Sequence, residues 1–271
     1  MQISPVYDGA PILRIEGLGD PSVPLRRQRE RLLDLLRSLD ASQWETQSRC
    51  AKWSVKDVAA HLIGVDRFWD ISFASGIKGE PTRFLSTFDP VASPEQMVDG
   101  LRAQSPTEVL AQFEQNCLGF LSTTDAVTDW AMVAEAPPGH VPMNVTALHA
   151  LWDAWVHERD VALPLGLAPT VEDDEVALVL RYAAALSPAI AASSRAGKRG
   201  SLSVIATKPD LAFTVEVADQ VVVRAGSGDG ATLQGDAVEL IEGLSHRGPL
   251  AALPAEDQWL LDGLAEVFDI S

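Results

Sequence analysis

The sequence predicts a mainly α chain that ends in an α+β unit, and three observations carry this. Apolar residues recur at helical spacing through most of the chain up to about residue 195. Beyond it the pattern changes to short β-branched runs, SLSVIAT, LAFTVEV and QVVVRAG. Between the two regimes lies Ala196-Gly197-Lys198-Arg199-Gly200, a stretch suited to a boundary. With 271 residues, 46% apolar and 22% charged, the chain has enough apolar material for a sizeable core, in two domains or one large one. The expected division is an N-terminal lead-in over 1–23, a helical bundle over 24–195 and a small α+β domain over 196–271.

Pro5, Pro11 and Pro21 make the lead-in read as irregular. The first helix starts near Pro24, with Leu25, Leu32, Leu33, Leu36 and Leu39 as its apolar stripe. A loop holding Trp44, Cys50 and Trp53 follows. Ser54 then caps the next helix, with Asp57 at the capping-box position and Val58, Leu62, Val65 and Trp69 on one side. Pro81, Pro90 and Pro94 break a long connection, after which helices are expected over 95–103 and 106–122. Pro137-Pro138-Gly139 and Pro142 mark 125–144 as a loop. A strong helix runs from Val145 to Leu163, and another over 172–193 should kink or stop at Pro188. In the α+β domain an Ala218-Asp219 turn joins two of the strands, GSGDG is a second turn and ATLQG a short strand. Helices over 236–245 and 256–268 close the chain.

The 21 Lys and Arg stand against 38 Asp and Glu, a net charge of −17. Such a surface repels phosphate backbones and anionic headgroups, so neither nucleic acid nor a membrane is expected as partner. The stretch MQISPVYDGAPILRIEG has neither a basic n-region nor an apolar h-region, and no run of 18 apolar residues occurs. Cys50 and Cys117 form no CxxC pattern and read as two buried thiols. A cytoplasmic location is the expectation.

No GxSxG, Walker loop, HExxH or dinucleotide fingerprint occurs, which leaves five histidines to consider. The informative stretch is LHALWDAWVHERD, residues 148–160. Asp153 and His157 stand four apart, so on a helix both project from one face and can grip one ion. Imidazole nitrogen with carboxylate oxygen suits Zn²⁺ or a similar divalent cation. The same spacing also describes an ordinary hydrogen-bonded surface pair. His149, four residues earlier, is a neighbour on that face or a helix-packing residue. A third ligand must come from elsewhere, and His61, mid-helix in DVAAHLIG, is the best candidate; taken alone it also reads as a core histidine.

WSVKDVAAHLIG (Trp53–Gly64) together with LWDAWVHERDVALPLG (Leu151–Gly166) resembles the mycothiol-dependent maleylpyruvate isomerase family, within the DinB-like metal-binding four-helix bundles. GDAVELIEGLSHRGPL (Gly235–Leu250) resembles the end of that family's small, SCP2-like α+β C-terminal domain. The resemblance implies a metal held by His61, Asp153 and His157, with Asp160 in the place of the aspartate of an H-x-x-D motif. Asp153 stands where a glutamate is more usual; His149 is its obvious substitute. The family's C-terminal arginine corresponds to Arg247, an anion contact that can clasp a carboxylate bidentately. The other reading of Arg247 is a surface residue after a helix end.

The cofactors so implied are a divalent metal, Zn²⁺ above all, and mycothiol as thiol cosubstrate. Three ligands leave a coordination position for a thiol, which would lose its proton there and attack a small electrophile. Cis-trans isomerisation, S-transfer and thiol exchange all use this ligand set. A zinc hydrolase with water in place of the thiol, and a non-catalytic ligand- or partner-binding protein, are the competing readings. His246 reads as a solvated loop residue, His140 as a residue near a pocket mouth, and the tryptophans mainly as core.

Overall fold

The computed structural model describes residues 3–194 and 197–266. In chain order the elements are β1 (Leu13–Ile15), α1 (Ser22–Ser38), α2 (Ala41–Trp44), α3 (Val55–Ile77), a 3-10 turn (Phe84–Thr87), α4 (Ala92–Asp99), α5 (Pro106–Asp125), β2 (Val133–Ala136), β3 (Gly139–Pro142), α6 (Met143–Ala162) and α7 (Asp173–Ser194). Strands β4 (Gly200–Thr207), β5 (Leu211–Val217), β6 (Val221–Ala225) and β7 (Ala231–Asp236) follow, then α8 (Ala237–Leu244) and α9 (Trp259–Asp262). The fold is mainly helical with a small α+β unit, as the hydrophobic periodicities predict.

Helices α1, α3, α5 and α6 pack into a four-helix bundle. Each long helix has a local cause. On α1, Leu25, Leu32, Leu33 and Leu36 are buried along one stripe. At the head of α3 the Ser54 hydroxyl accepts from the Asp57 amide, while the Asp57 carboxylate accepts from the Ser54 amide, so two orphan donors are satisfied reciprocally. Ser105 and Glu108 repeat the device on α5, behind Pro106 at the first position. Helix α6 is buried nearly all round, because α1 and α3 cover one side and α7 the other. Its small residues Ala147, Ala150 and Ala154 are fully buried and let those neighbours approach.

The five-stranded sheet has the order β1-β6-β5-β4-β7, with antiparallel β4–β5 and β5–β6 pairs and parallel β4–β7 and β1–β6 pairs. Helix α7 lies between the bundle and this sheet, with α8 and α9 against it. It is the one described helix long and apolar enough to cross a membrane, with a mean hydropathy of 1.5 over its best window; 72% of that window is buried inside the protein.

Several sequence expectations change here. The lead-in is not wholly irregular: Leu13, Arg14 and Ile15 pair with Val221, Val222 and Val223 as the edge of the sheet. The stretch expected as a loop holds the β2–β3 hairpin, turned at Pro137-Pro138. Gly139 has φ +127°, and a Cβ there would lie 2.1 Å from the Val6 carbonyl oxygen, so only glycine admits the N-terminal segment against the hairpin. Pro188 does not end α7; the helix runs through it to Ser194. Ser187 beside it is clamped, its hydroxyl donating to the Leu261 carbonyl and accepting from the Leu264 amide. The last helix is shorter than expected, and the end of the predicted 256–268 stretch lies outside the described residues.

The hairpin carries a buried carboxylate that organises the connection above the bundle. Glu135 accepts from the Tyr7 hydroxyl at 2.6 Å, the Thr82 hydroxyl at 2.6 Å and the amides of Phe84 and Leu85 at 2.9 and 2.8 Å. Glu135→Ala leaves all four donors unpaired. Denaturant unfolding should show a loss of about 3 kcal/mol, whereas a loss below about 1 kcal/mol would mean that water replaces the carboxylate.

Candidate active site

Between α3, α6, the segment that leads into α4 and the loop after α8 lies a cavity of about 940 Å³. His61 reaches it from α3, about two turns into the capped helix; Asp153 and His157 reach it from consecutive turns of α6. One donor atom from each of the three lies within 4.8 Å of the others. His157 Nε2 is 3.7 Å from an Asp153 oxygen, and the His61 and His157 rings are 5.0 Å apart. Within this cluster His61 Nδ1 and Asp153 Oδ2 are buried with no hydrogen-bond partner among the described residues. Two orphaned polar atoms among converging ligand types are what a cation site leaves when only its protein part is counted.

The electrostatics match. Burial and the charge of His157 push His61 down to about 4, so it is a neutral imidazole with a lone pair to offer. Burial opposes ionisation of Asp153, but the neighbouring His157, His61, His149 and Arg29 outweigh it and hold the carboxyl below its ordinary value. Burial also opposes charge on His157, yet hydrogen bonds to Asp160 and Cys50 and the charge of Asp153 raise it to about 10. A cation bound here must displace that proton.

Behind His157 stands Asp160, fully buried, accepting from His157 Nδ1 at 3.0 Å. That contact leaves Nε2 facing Asp153 and sets the tautomer a ligand needs. Asp160 also accepts from Arg49 Nε at 2.9 Å and from Arg247 Nε at 3.1 Å. Burial opposes its ionisation, but His157 first and then Arg247 hold its carboxyl well below the usual range. Arg49 continues to Glu242 on α8 at 2.6 Å, and Arg159 reaches the same carboxylate at 2.5 Å. An ion-pair chain thus ties the α+β unit to the bundle next to the candidate ligands.

Arg247, expected as an anion contact, lines the cavity with its Nε bonded to Asp160. His149 lines the cavity too, but outside the three-residue cluster. Its Nδ1 is 2.5 Å from the Tyr182 hydroxyl, and its ring packs between Trp69 and Trp152. His140 is elsewhere, held by the carbonyls of Tyr7 and Thr82. His246 sits at φ +55°, half-buried beside Arg247, its Nε2 without a hydrogen-bond partner among the described residues. Trp155 is core, whereas Trp53, Trp69 and Trp152 border the cavity, Trp53 with its ring 5.0 Å from that of His61.

Cys50 is the residue that sequence reasoning missed. It is half-buried on the cavity wall, its thiol 3.3 Å from Asp160 Oδ2 and 3.5 Å from Arg247 Nη2. The available signal was its place just ahead of the Trp53-Ser54 motif, next to Arg49. Cys117 is buried as expected, and burial pushes its thiol up to about 12.

Fold and site together define a four-helix-bundle protein with a His-Asp-His cluster between two helices and an arginine brought in from an appended α+β unit. Residues 25–162, about half the chain, match the family model of the mycothiol maleylpyruvate isomerase N-terminal domain, and the chain belongs to that family. Among solved structures it is similar to a mycothiol-dependent maleylpyruvate isomerase, with 16% identity, a TM-score of 0.60 and coverage of 88% of this chain and 93% of the other. A histidine-to-alanine mutant described under the same enzyme name matches with 14% identity, a TM-score of 0.61 and the same coverage. At such identities the likeness is one of fold. The comparison with curated protein sequences gives no match.

Proposed function

We propose that this chain is a mycothiol-dependent isomerase or transferase that works with a divalent metal, Zn²⁺ by preference, held by His61, Asp153 and His157. The observation that carries the reading is the convergence of these three donors, two of them with orphaned buried atoms, at the wall of a large cavity. The donor set fits: two imidazoles and one carboxylate, contributed by two rigid helices, leave room for an exogenous ligand. A cation bound there stabilises thiolate over thiol at neutral pH.

The chain's own residues supply the rest. Asp160 accepts the Nδ1 proton of His157 and so keeps its Nε2 lone pair aimed at the cluster. Asp153 contributes negative charge. The Asp160 contact fixes Arg247 through Nε; Nη1 and Nη2 reach the Ser245 carbonyl and the Cys50 thiol at 3.5 Å, and their remaining N–H groups would meet an anionic group on substrate or charge that develops in the reaction. Trp53, packed beside His61, limits water at the cluster. Isomerisation and S-transfer begin alike, with a thiolate adding to an electrophilic carbon, and differ in whether the thiol leaves again. The helical bundle over 24–195 would carry the ligands and the α+β domain over 196–271 would close the site with Arg247.

Metal analysis combined with a thiol-dependence assay tests this. The expected result is about one divalent ion per chain, turnover with mycothiol but not glutathione, and loss of turnover in chelator. Turnover of electrophiles in metal-free protein, or hydrolysis without any thiol, would overturn it.

A further inference from the structure

The cavity is chemically divided along α6. Asp160, His157, Asp153 and His149 follow one another along this helix. At 1.5 Å per residue, the Asp160 end with its arginines lies roughly 16 Å from His149. Arg49 and Arg247 gather at the first end, both bonded to Asp160. Trp69 from α3 and Trp152 from α6 pack on the His149 ring, and Val65, Phe68 and Leu186 are further apolar residues of the cavity lining.

Within that apolar end His149 offers one polar atom of defined character. Tyr182 is fully buried, and its hydroxyl has His149 Nδ1 as its hydrogen-bond partner. If Nδ1 carried the proton, the tyrosine O–H would be left in the core without an acceptor among the described residues, which is costly. The tyrosine therefore donates to Nδ1, and the imidazole proton resides on Nε2. Among the described residues Nε2 has no partner, and it is not fully buried, while His149 lines the cavity. Its N–H therefore faces the cavity.

We propose that this inner end is the electrophile subsite, and that it takes an aromatic or comparably bulky apolar electrophile whose carbonyl oxygen accepts a hydrogen bond from His149 Nε2–H. The inference rests on the thiol-enzyme reading for its chemistry. With an α,β-unsaturated ketone, the thiolate forms a C–S bond at the β-carbon and the C=C π bond breaks. Its electron pair moves through the carbonyl system to oxygen as an enolate, and the His149 donor meets that charge as it develops. Collapse of the enolate re-forms the C=C bond and expels the thiolate, which isomerises the substrate. Protonation of the α-carbon from solvent, matching the proton the thiol gave up, leaves the thioether instead.

Three electrophiles test the proposal: chalcone, an aromatic enone; maleate, a small dianion; and benzyl chloride, aromatic without oxygen, which loses chloride as its C–S bond forms. In the unaltered protein kcat/KM with mycothiol should favour chalcone over maleate by roughly 100-fold. His149→Phe should lower the chalcone-to-benzyl-chloride rate ratio by about 100-fold, and Tyr182→Phe by about tenfold. Calorimetry without thiol should show chalcone bound by the unaltered protein and about tenfold more weakly by His149→Phe. Preference for maleate, or a rate ratio unchanged in both variants, overturns the proposal. If chalcone binds in a His149-dependent way but no thiol-dependent turnover exists, the subsite stands and the functional reading falls. Thiol-dependent turnover of maleate without chalcone binding has the reverse meaning.

Discussion

Alanine at His61 or at His157 is expected to empty the site of metal and to lower thiol-dependent turnover by about 10³-fold or more. Each substitution removes one of three donors whose atoms lie within 4.8 Å of one another. Metal content, measured on protein prepared with excess zinc, reads this directly. Asp153→Ala should weaken metal binding with less complete loss, since a carboxylate site can admit water. His149→Ala should leave the metal content intact, because His149 is engaged with Tyr182 and stands outside the cluster. The opposite pair of results, metal retained in Asp153→Ala and lost in His149→Ala, would move the third ligand to His149.

The second large effect is expected at Asp160. This carboxylate is fully buried and joins His157, Arg49, Arg247 and the Cys50 thiol. Alanine there takes from Arg247 its carboxylate partner, leaves Arg49 with Glu242 alone, and frees the His157 ring to rotate or to change tautomer. Stability should fall by about 3–5 kcal/mol, and zinc affinity, measured against a competing chelator, by about 10–100-fold. Asp160→Asn keeps one acceptor oxygen and should recover part of the affinity and less of the stability. Unchanged zinc affinity in Asp160→Ala would show that His157 is oriented by packing alone.

What could be read from the sequence is what depends on near neighbours in the chain. The Ser54 cap and its Asp57 partner stand three residues apart and fix where α3 begins, and hence the turn from which His61 projects. Asp153, His157 and Asp160 share a face of α6 by helical spacing alone. The features that escaped depend on distant partners. Strand β1 has only three residues and is a strand because β6 lies beside it. The β2–β3 hairpin hides behind two prolines and a glycine, and the N-terminal segment at Val6 covers its turn. Cys50 has no spacing signature; it enters the site because its loop folds back onto Asp160, where the Arg49 amide donates to the Asp160 carbonyl. Tyr182 likewise gives His149 a defined role that four-residue spacing on α6 cannot reveal.

The parallel pairing of β1 with β6 bears on the order in which the molecule can assemble. Glu16, just past β1, meets Arg224 of β6 across 208 residues of chain. On a ribosome the first strand emerges early and must wait, unpaired, while the bundle helices are made and condense around their local contacts. Only when the last quarter of the chain appears can the sheet take in its first-made edge. The helices are in this sense an insertion within the sheet's topology, and closure of that sheet, with Arg247 following on the next helix's end, is the late event that completes the cavity.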